Sequence, residues 1–203
     1  MNHNTILYKY WDTIEPDKIS HTDSEEKIDL YNIFCNEIIN TLYLSVEITE
    51  SYKLNEKIIE NSKNEMKKFI ESVFIIAKKE FYEIGFILLF FQKLVCNNKN
   101  NNIKVIISEC TGRNIINFKT YNTEFKIFFL LCSLLMGKYH DDNSMMNADY
   151  VSIGRQLNLR YFNLNMINQY EINLLRKLDY YIYNNFIEFE KMCLFYLQGN
   201  LIK

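Results

Sequence analysis

Phe125-Lys-Ile-Phe-Phe-Leu-Leu-Cys-Ser-Leu-Leu-Met-Gly137 (FKIFFLLCSLLMG) runs without a break into Lys138-Tyr-His-Asp-Asp142 (KYHDD). A helix built from the first stretch is apolar on every face, so it belongs inside a fold rather than on its surface. The second stretch is its opposite: a base, a histidine and two adjacent carboxylates, the residue types of a metal or acid–base site. Either chemistry happens there, or charge marks the exit of a buried helix.

The surrounding sequence reads as helical. Asn122 or Thr123 can cap the buried helix, placed at Glu124–Tyr139. Upstream, FYEIGFILLFFQKLV (Phe81–Val95) is a second helix without a polar face. HTDSEEK offers overlapping capping boxes, Thr22 with Glu25 and Asp23 with Glu26. They precede a stripe of Ile28, Tyr31, Phe34, Cys35, Ile38, Ile39, Leu42 and Val46 at helical spacing. Met66, Phe69, Ile70, Val73, Phe74 and Ala77 repeat that pattern. The Asn-rich tract 97–102 is expected to open a surface loop reaching about Asn122, with IKVIIS inside it as a short strand or helix. Asn147 is expected to cap ADYVSIGRQL. Asn165 is expected to start MINQYEINLLRKLDYYIY, with Met166, Ile167, Tyr170, Leu174, Leu178 and Tyr181 on one face. FIEFEKMCLFYLQ closes the series near Gly199, a natural C′ glycine.

Composition supports the same picture. The chain has 203 residues, 48% hydrophobic and 15% aromatic, which is enough for one real core. A single Pro and five Gly leave few helix breakers. The fold class expected is all-α, in one compact domain. The formal net charge of −2 argues against nucleic-acid binding, which rests on neutralising phosphates, and against a basic membrane-surface helix. No apolar run reaches the ~18 residues of a membrane span. Five cysteines without a CxxC pair read as reduced, buried thiols. The N-terminal stretch lacks a basic start and an apolar core, so no signal peptide is expected. These features point to a cytoplasmic or nuclear chain. Trp11, the one tryptophan, is expected to pack its N-terminal arm onto the helices.

Catalytic motifs fare poorly. The pair His140-Asp141 on a helical chain suggests a metal-dependent HD-type phosphohydrolase, but a metal needs converging ligands. The other histidines, His3 and His21, lie in the N-terminal arm. ECTGR (Glu109–Arg113) echoes a cysteine phosphatase loop with too short a gap between Cys110 and Arg113 to cradle a phosphate. No GxSxG, Walker or GxGxxG motif is present. Neither a cofactor, a small-molecule substrate nor catalysis by this chain is expected.

Residues 69–182 resemble the cyclin box, specifically the P-type cyclins (the phosphate-pathway cyclins of fungi and their U-type plant relatives). The resemblance is carried by LLMGKYHDDNSMMNADYVSIG followed by INQYEINLLRKLDYYIY. Lys138, Tyr139, Asp141, Asp142, Asn147, Tyr150, Gly154, Asn168, Glu171, Leu174, Leu175, Leu178, Asp179 and Tyr180 fall in order on the family pattern. Two departures accompany it. RQLNLRYF (Arg155–Phe162) lengthens the turn before the last box helix. The family's YLDR appears as Phe90-Phe91-Gln92-Lys93, and the arginine that pairs with its acid falls at Ser72. Losing one partner would strand a buried charge at about 3–5 kcal/mol, whereas losing both can be nearly neutral.

The resemblance implies a five-helix cyclin box with flanking N- and C-terminal helices. Its parts would be an arm and flanking helix at 1–63, the box at 64–183 and a final helix at 184–203. It also implies a regulatory subunit that binds a cyclin-dependent protein kinase beside the kinase αC helix. Lys138 and Glu171 take the positions that hydrogen-bond the kinase backbone, and Asp142 either caps the next turn or faces a kinase arginine as a partner contact. Phe128, Leu131, Leu135 and Leu175 are expected to add apolar contact surface. A kinase-independent helical scaffold is the other non-enzymatic reading.

Overall fold

The computed structural model describes residues 24–47, 56–79, 81–97, 103–113, 115, 118–140, 144–180, 182 and 186–200. Trp11, Thr22, Asp23, the tract 98–102, Asp141, Asp142 and Tyr181 lie outside the described residues, as do the side chains of Ile28, Val46, Cys96 and His140. The described residues form an all-α fold with no strand. Its helices are α1 (Ser24–Glu47), α2 (Glu56–Ala77), α3 (Phe81–Asn97), α4 (Ile103–Thr111), α5 (Phe118–His140), α6 (Asn147–Gln156), α7 (Leu164–Lys177) and α8 (Phe186–Asn200). None is long and apolar enough to cross a membrane.

The two helices without a polar face occupy the middle, because only there can all their faces leave water. α5 packs against α2, α3, α4, α6 and α7, and its residues from Ile127 to Gly137 are all buried. α3 is buried continuously from Glu83 to Gln92. α1 lies along α3 and also touches α2, α4 and α8, burying Leu30, Phe34, Cys35, Ile38, Ile39, Leu42 and Tyr43. Polar groups staple its end to α5: Tyr121 Oη donates to the Leu42 carbonyl at 2.6 Å, and Tyr43 Oη donates to Asn122 Oδ1. The Tyr43 and Phe125 rings meet edge to face at 5.4 Å. α8 reaches α3 where Gly85 leaves room. A Cβ there would stand 2.4 Å from Phe189 Cε2.

Several boundaries differ from the sequence expectation, each for a local reason. Of the short strand or helix allowed for IKVIIS the helix forms, α4, and it runs on to Thr111 with Ile103, Ile106, Ile107 and Cys110 buried at i, i+3, i+4, i+7 spacing. It ends where Gly112 adopts a φ of +65°, the left-handed conformation suited to a residue just past a helix. α5 accordingly starts at Phe118, ahead of Asn122. Asn147 is the first residue of α6, with Met146 as N-cap. The cap of α7 is Asn163, whose Oδ1 accepts from Met166 N at 3.1 Å. α7 stops at Lys177 because Asp179 and Tyr180 turn to φ of 50° and 59°. Gly199 lies within α8. α2 runs through the boundary expected at 63/64, so that division cuts a single helix.

Gly154 on α6 is the tightest approach beside the candidate site. An added Cβ would meet the buried Phe162 ring at 2.5 Å. The Leu159 amide donates to the Gly154 carbonyl at 2.8 Å, closing the turn that RQLNLRYF forms. Alanine favours a helix over glycine by about 0.5–1 kcal/mol, but overpacking this contact costs about 1–3 kcal/mol. Gly154→Ala is therefore expected to lower stability in urea unfolding, whereas Ser152→Ala, at an exposed position of the same helix, is not.

Candidate partner-binding site

The exit of α5 meets α6 and α7 at a compact polar cluster. Lys138 Nζ donates to Glu171 Oε1 at 2.6 Å, joining residues 33 apart in sequence. Asn147 Nδ2 donates to the other carboxylate oxygen, Glu171 Oε2, at 2.7 Å and to Asn168 Oδ1 at 2.6 Å. Each residue is placed by its helix. Lys138 stands in the last turn of α5, where an ammonium complements the helix dipole. Asn168 and Glu171, three apart, share a face of α7. Asn147 opens α6, whose first turn is held by the Met146 amide donating to Asp149 Oδ2 at 2.8 Å. The Lys138 and Glu171 side chains keep 32% and 14% of their surface exposed. The cluster is therefore reachable by another molecule.

The structure brings Lys138 and Glu171 together, but it corrects the apolar part of the site. Phe128, Leu131 and Leu135 are 0%, 1% and 3% exposed. They fill the core around α5, with Phe128 edge-to-face on Phe91 at 5.6 Å, and offer no contact surface. Leu175 alone of the four is partly exposed. Exposed apolar side chains come instead from residues next to the polar cluster in sequence. Tyr139 follows Lys138, Met146 precedes Asn147, and Ile172 follows Glu171, all three exposed. Leu164 adds to them, because Leu164, Asn168, Glu171 and Leu175 form one stripe along α7. The signal for that stripe lies in the helical spacing itself, as the face beside the core positions Ile167, Tyr170 and Leu174.

A buried polar network reaches α6 from the junction of α2 and α3. Lys79, just past α2, pairs with Glu83 in the first turn of α3, their side chains only 4% and 7% exposed. On α6, Tyr150 Oη lies 3.3 Å from Ser133 Oγ of α5. Burial pushes the Tyr150 phenol above its ordinary range, and the nearby Lys79 ammonium opposes that shift. Tyr150 is one turn from Asn147, so the core holds the end of α6 that carries the cluster.

ECTGR has a structural assignment. It ends α4 and ties that helix to α5 and α7. Glu109 pairs with Lys177, Asn173 Nδ2 donates to the Cys110 carbonyl at 2.8 Å, and Arg113 Nη1 donates to Glu124 Oε1 at 2.9 Å. Burial pushes the Cys110 thiol up to about 12, the reverse of what a thiolate nucleophile requires. Cys35, Cys110, Cys132 and Cys193 are free and buried. Among the described residues no group of three His, Cys, Asp or Glu side chains is placed to hold a metal ion.

Glu124 is 1% exposed, and burial raises its carboxyl above the usual carboxylate range, with Arg113 offsetting part of the shift. A carboxyl raised on folding binds more protons in the native state than in the unfolded one. Its contribution therefore falls as pH climbs from the ordinary carboxylate value through the raised one. Glu124→Gln is expected to remove that loss, flattening the stability profile on the alkaline side of the ordinary carboxylate range. Urea midpoints of wild type and variant over those pH values measure it.

No family model, no curated protein and no solved structure matches this chain.

Proposed function

We propose that the chain is a cyclin-type regulatory subunit that binds and activates a cyclin-dependent protein kinase through the Lys138–Glu171 cluster. The observation that carries this reading is the pair itself. An ammonium has three donors, and Lys138 uses one on Glu171; the carboxylate oxygens retain acceptor sites beyond those taken by Lys138 and Asn147. Donors and acceptors thus stand side by side, the complement of a peptide backbone offering carbonyls and amides.

The helix order is consistent with the proposal. On this reading α2, α3, α5, α6 and α7 would be the five box helices, with α5 central. α1 and α8 flank them, and α4 is an addition between the second and third. Seated beside the kinase αC helix, such a subunit would hold that helix inward so that the kinase's own Lys–Glu pair forms. Shifting a kinase from 1:99 to 99:1 in favour of the active form requires about 5.5 kcal/mol of differential binding. The polar cluster does not supply that alone. An interface on the order of 1,600 Å² is needed, and Tyr139, Met146, Leu164, Ile172 and Leu175 begin it.

Isolation of the tagged chain from native lysate, with mass spectrometry of what accompanies it, tests the proposal. A cyclin-dependent kinase retained by wild type and lost with Glu171→Ala is the expected result. Recovery of no such kinase, or equal recovery by both proteins, would count against it.

A further inference from the structure

Glu171 is gripped at both carboxylate oxygens from within the chain, by Lys138 on one and Asn147 on the other. The two grips differ in kind. Lys138 is a long, partly exposed side chain, whereas Asn147 is a short amide on the first turn of a helix anchored in the core. The Asn147 amide also leaves its own Oδ1 buried without a hydrogen bond. Turning the amide over would bring Oδ1 against Glu171 Oε2, acceptor against acceptor. The carboxylate therefore dictates which way the amide points, and an unpaired oxygen is the consequence.

We infer that Asn147 is a positioning residue for the partner-binding site: its Nδ2 fixes the Glu171 carboxylate against α6 in the orientation that meets the partner. The inference rests on the reading of this site as a kinase contact. Asn147 acts through Glu171 and does not itself have to touch the partner. With Nδ2 gone, Glu171 Oε2 turns to solvent and the carboxylate follows the flexible Lys138 ammonium. Positioning is then re-established only at the moment of binding, which lowers affinity.

Asn147→Asp separates this role from a merely structural one. Aspartate in the first turn of a helix is favoured by the dipole, so α6 itself is not harmed. The same substitution sets a second carboxylate against Glu171. A double-mutant cycle is made from wild type, Asn147→Asp, Glu171→Gln and the double variant. Each is measured for affinity to the co-purifying kinase and for unfolding midpoint. Asn147→Asp is expected to weaken kinase binding about tenfold or more when Glu171 is present, and less than about twofold when it is added to Glu171→Gln. The unfolding midpoint is expected to fall when Asn147→Asp is made in wild type and to stay level or rise when it is made in Glu171→Gln. Equal changes in both backgrounds, in affinity and in midpoint, overturn the positioning role. Failure of the wild-type chain to bind any cyclin-dependent kinase overturns the functional reading instead. The midpoints alone then decide whether Asn147 fixes Glu171.

Discussion

Glu171→Ala is expected to weaken kinase binding by about 2–5 kcal/mol, the range for truncating one member of a hydrogen-bonded charge pair in an interface. Two donors converge on this carboxylate, Lys138 Nζ and Asn147 Nδ2; when it is removed Lys138 loses its acceptor, while Asn147 keeps only Asn168 Oδ1. Covered by a partner, an ammonium stripped of its acceptor is penalised more than any contact formed by alanine can offset. Lys138→Ala is expected to fall in the same range but nearer its lower end, because Asn147 still holds Glu171. Folding stability should change by no more than about 1 kcal/mol in either variant, since the pair is partly exposed and water replaces it in the free chain. Calorimetric titration against the purified kinase, with urea unfolding of the same samples, separates the two effects. Wild-type affinity in Glu171→Ala would remove the cluster from the interface.

Glu83→Ala is expected to lower folding stability by about 3–5 kcal/mol, an effect as large as that on binding but in the free chain. Glu83 and Lys79 are paired where almost no water reaches either side chain. Removing the carboxylate takes a close counter-ion from the Lys79 ammonium in a low-dielectric region beside Tyr150. Replacing both residues with apolar ones of similar size, Lys79→Met with Glu83→Leu, should by the same argument restore most of the stability. Urea denaturation of wild type, single and double variants checks both statements. A loss in the double variant as large as in Glu83→Ala would mean that the charged groups themselves, rather than the imbalance left by removing one of them, set the penalty.

The buried pair also bears on the acid–arginine pair that the cyclin-box resemblance would lead one to expect at Gln92 and Ser72. Gln92 is buried against Tyr196 of α8, while Ser72 Oγ donates to the Lys68 carbonyl at 2.7 Å within its own helix. Neither is left as a stranded charge, as the absence of both partners requires. The chain instead carries a buried ion pair at the junction of α2 and α3, where Lys79 and Glu83 look in sequence like any surface pair four residues apart.

Much of the architecture was legible because burial leaves a periodic trace. FKIFFLLCSLLMG and IGFILLFF have no polar face and became the two central helices, while Phe34, Ile38 and Leu42 declared the inner face of α1. The trace was ambiguous at α4, where IKVIIS allowed a short strand or a short helix: Ile103, Ile106, Ile107 and Cys110 have helical spacing, but they sit in a run rich in β-branched residues behind an asparagine tract. Helix ends escape sequence where a turn, rather than an amphipathic pattern, decides them, as at Asp179 and Tyr180. In the candidate site, Lys138 and Glu171 were found through residue identity and order. The apolar partners assigned to them were not, because hydrophobicity alone does not distinguish Phe128, deep in α5, from Tyr139 or Ile172 at the surface. Asn147 looked like a cap because Asn is a common cap. Only three-dimensional proximity to Glu171 gives its amide a different task.

Kinase activation is the most direct test of the regulatory role. A purified cyclin-dependent kinase is titrated with the chain while phosphorylation of a peptide substrate is followed. The rate is expected to rise to a plateau, with the Glu171→Ala curve displaced to higher concentration by the factor lost in affinity. A rate that stays at the basal level throughout, with folded wild-type chain in excess, would contradict a cyclin-type function.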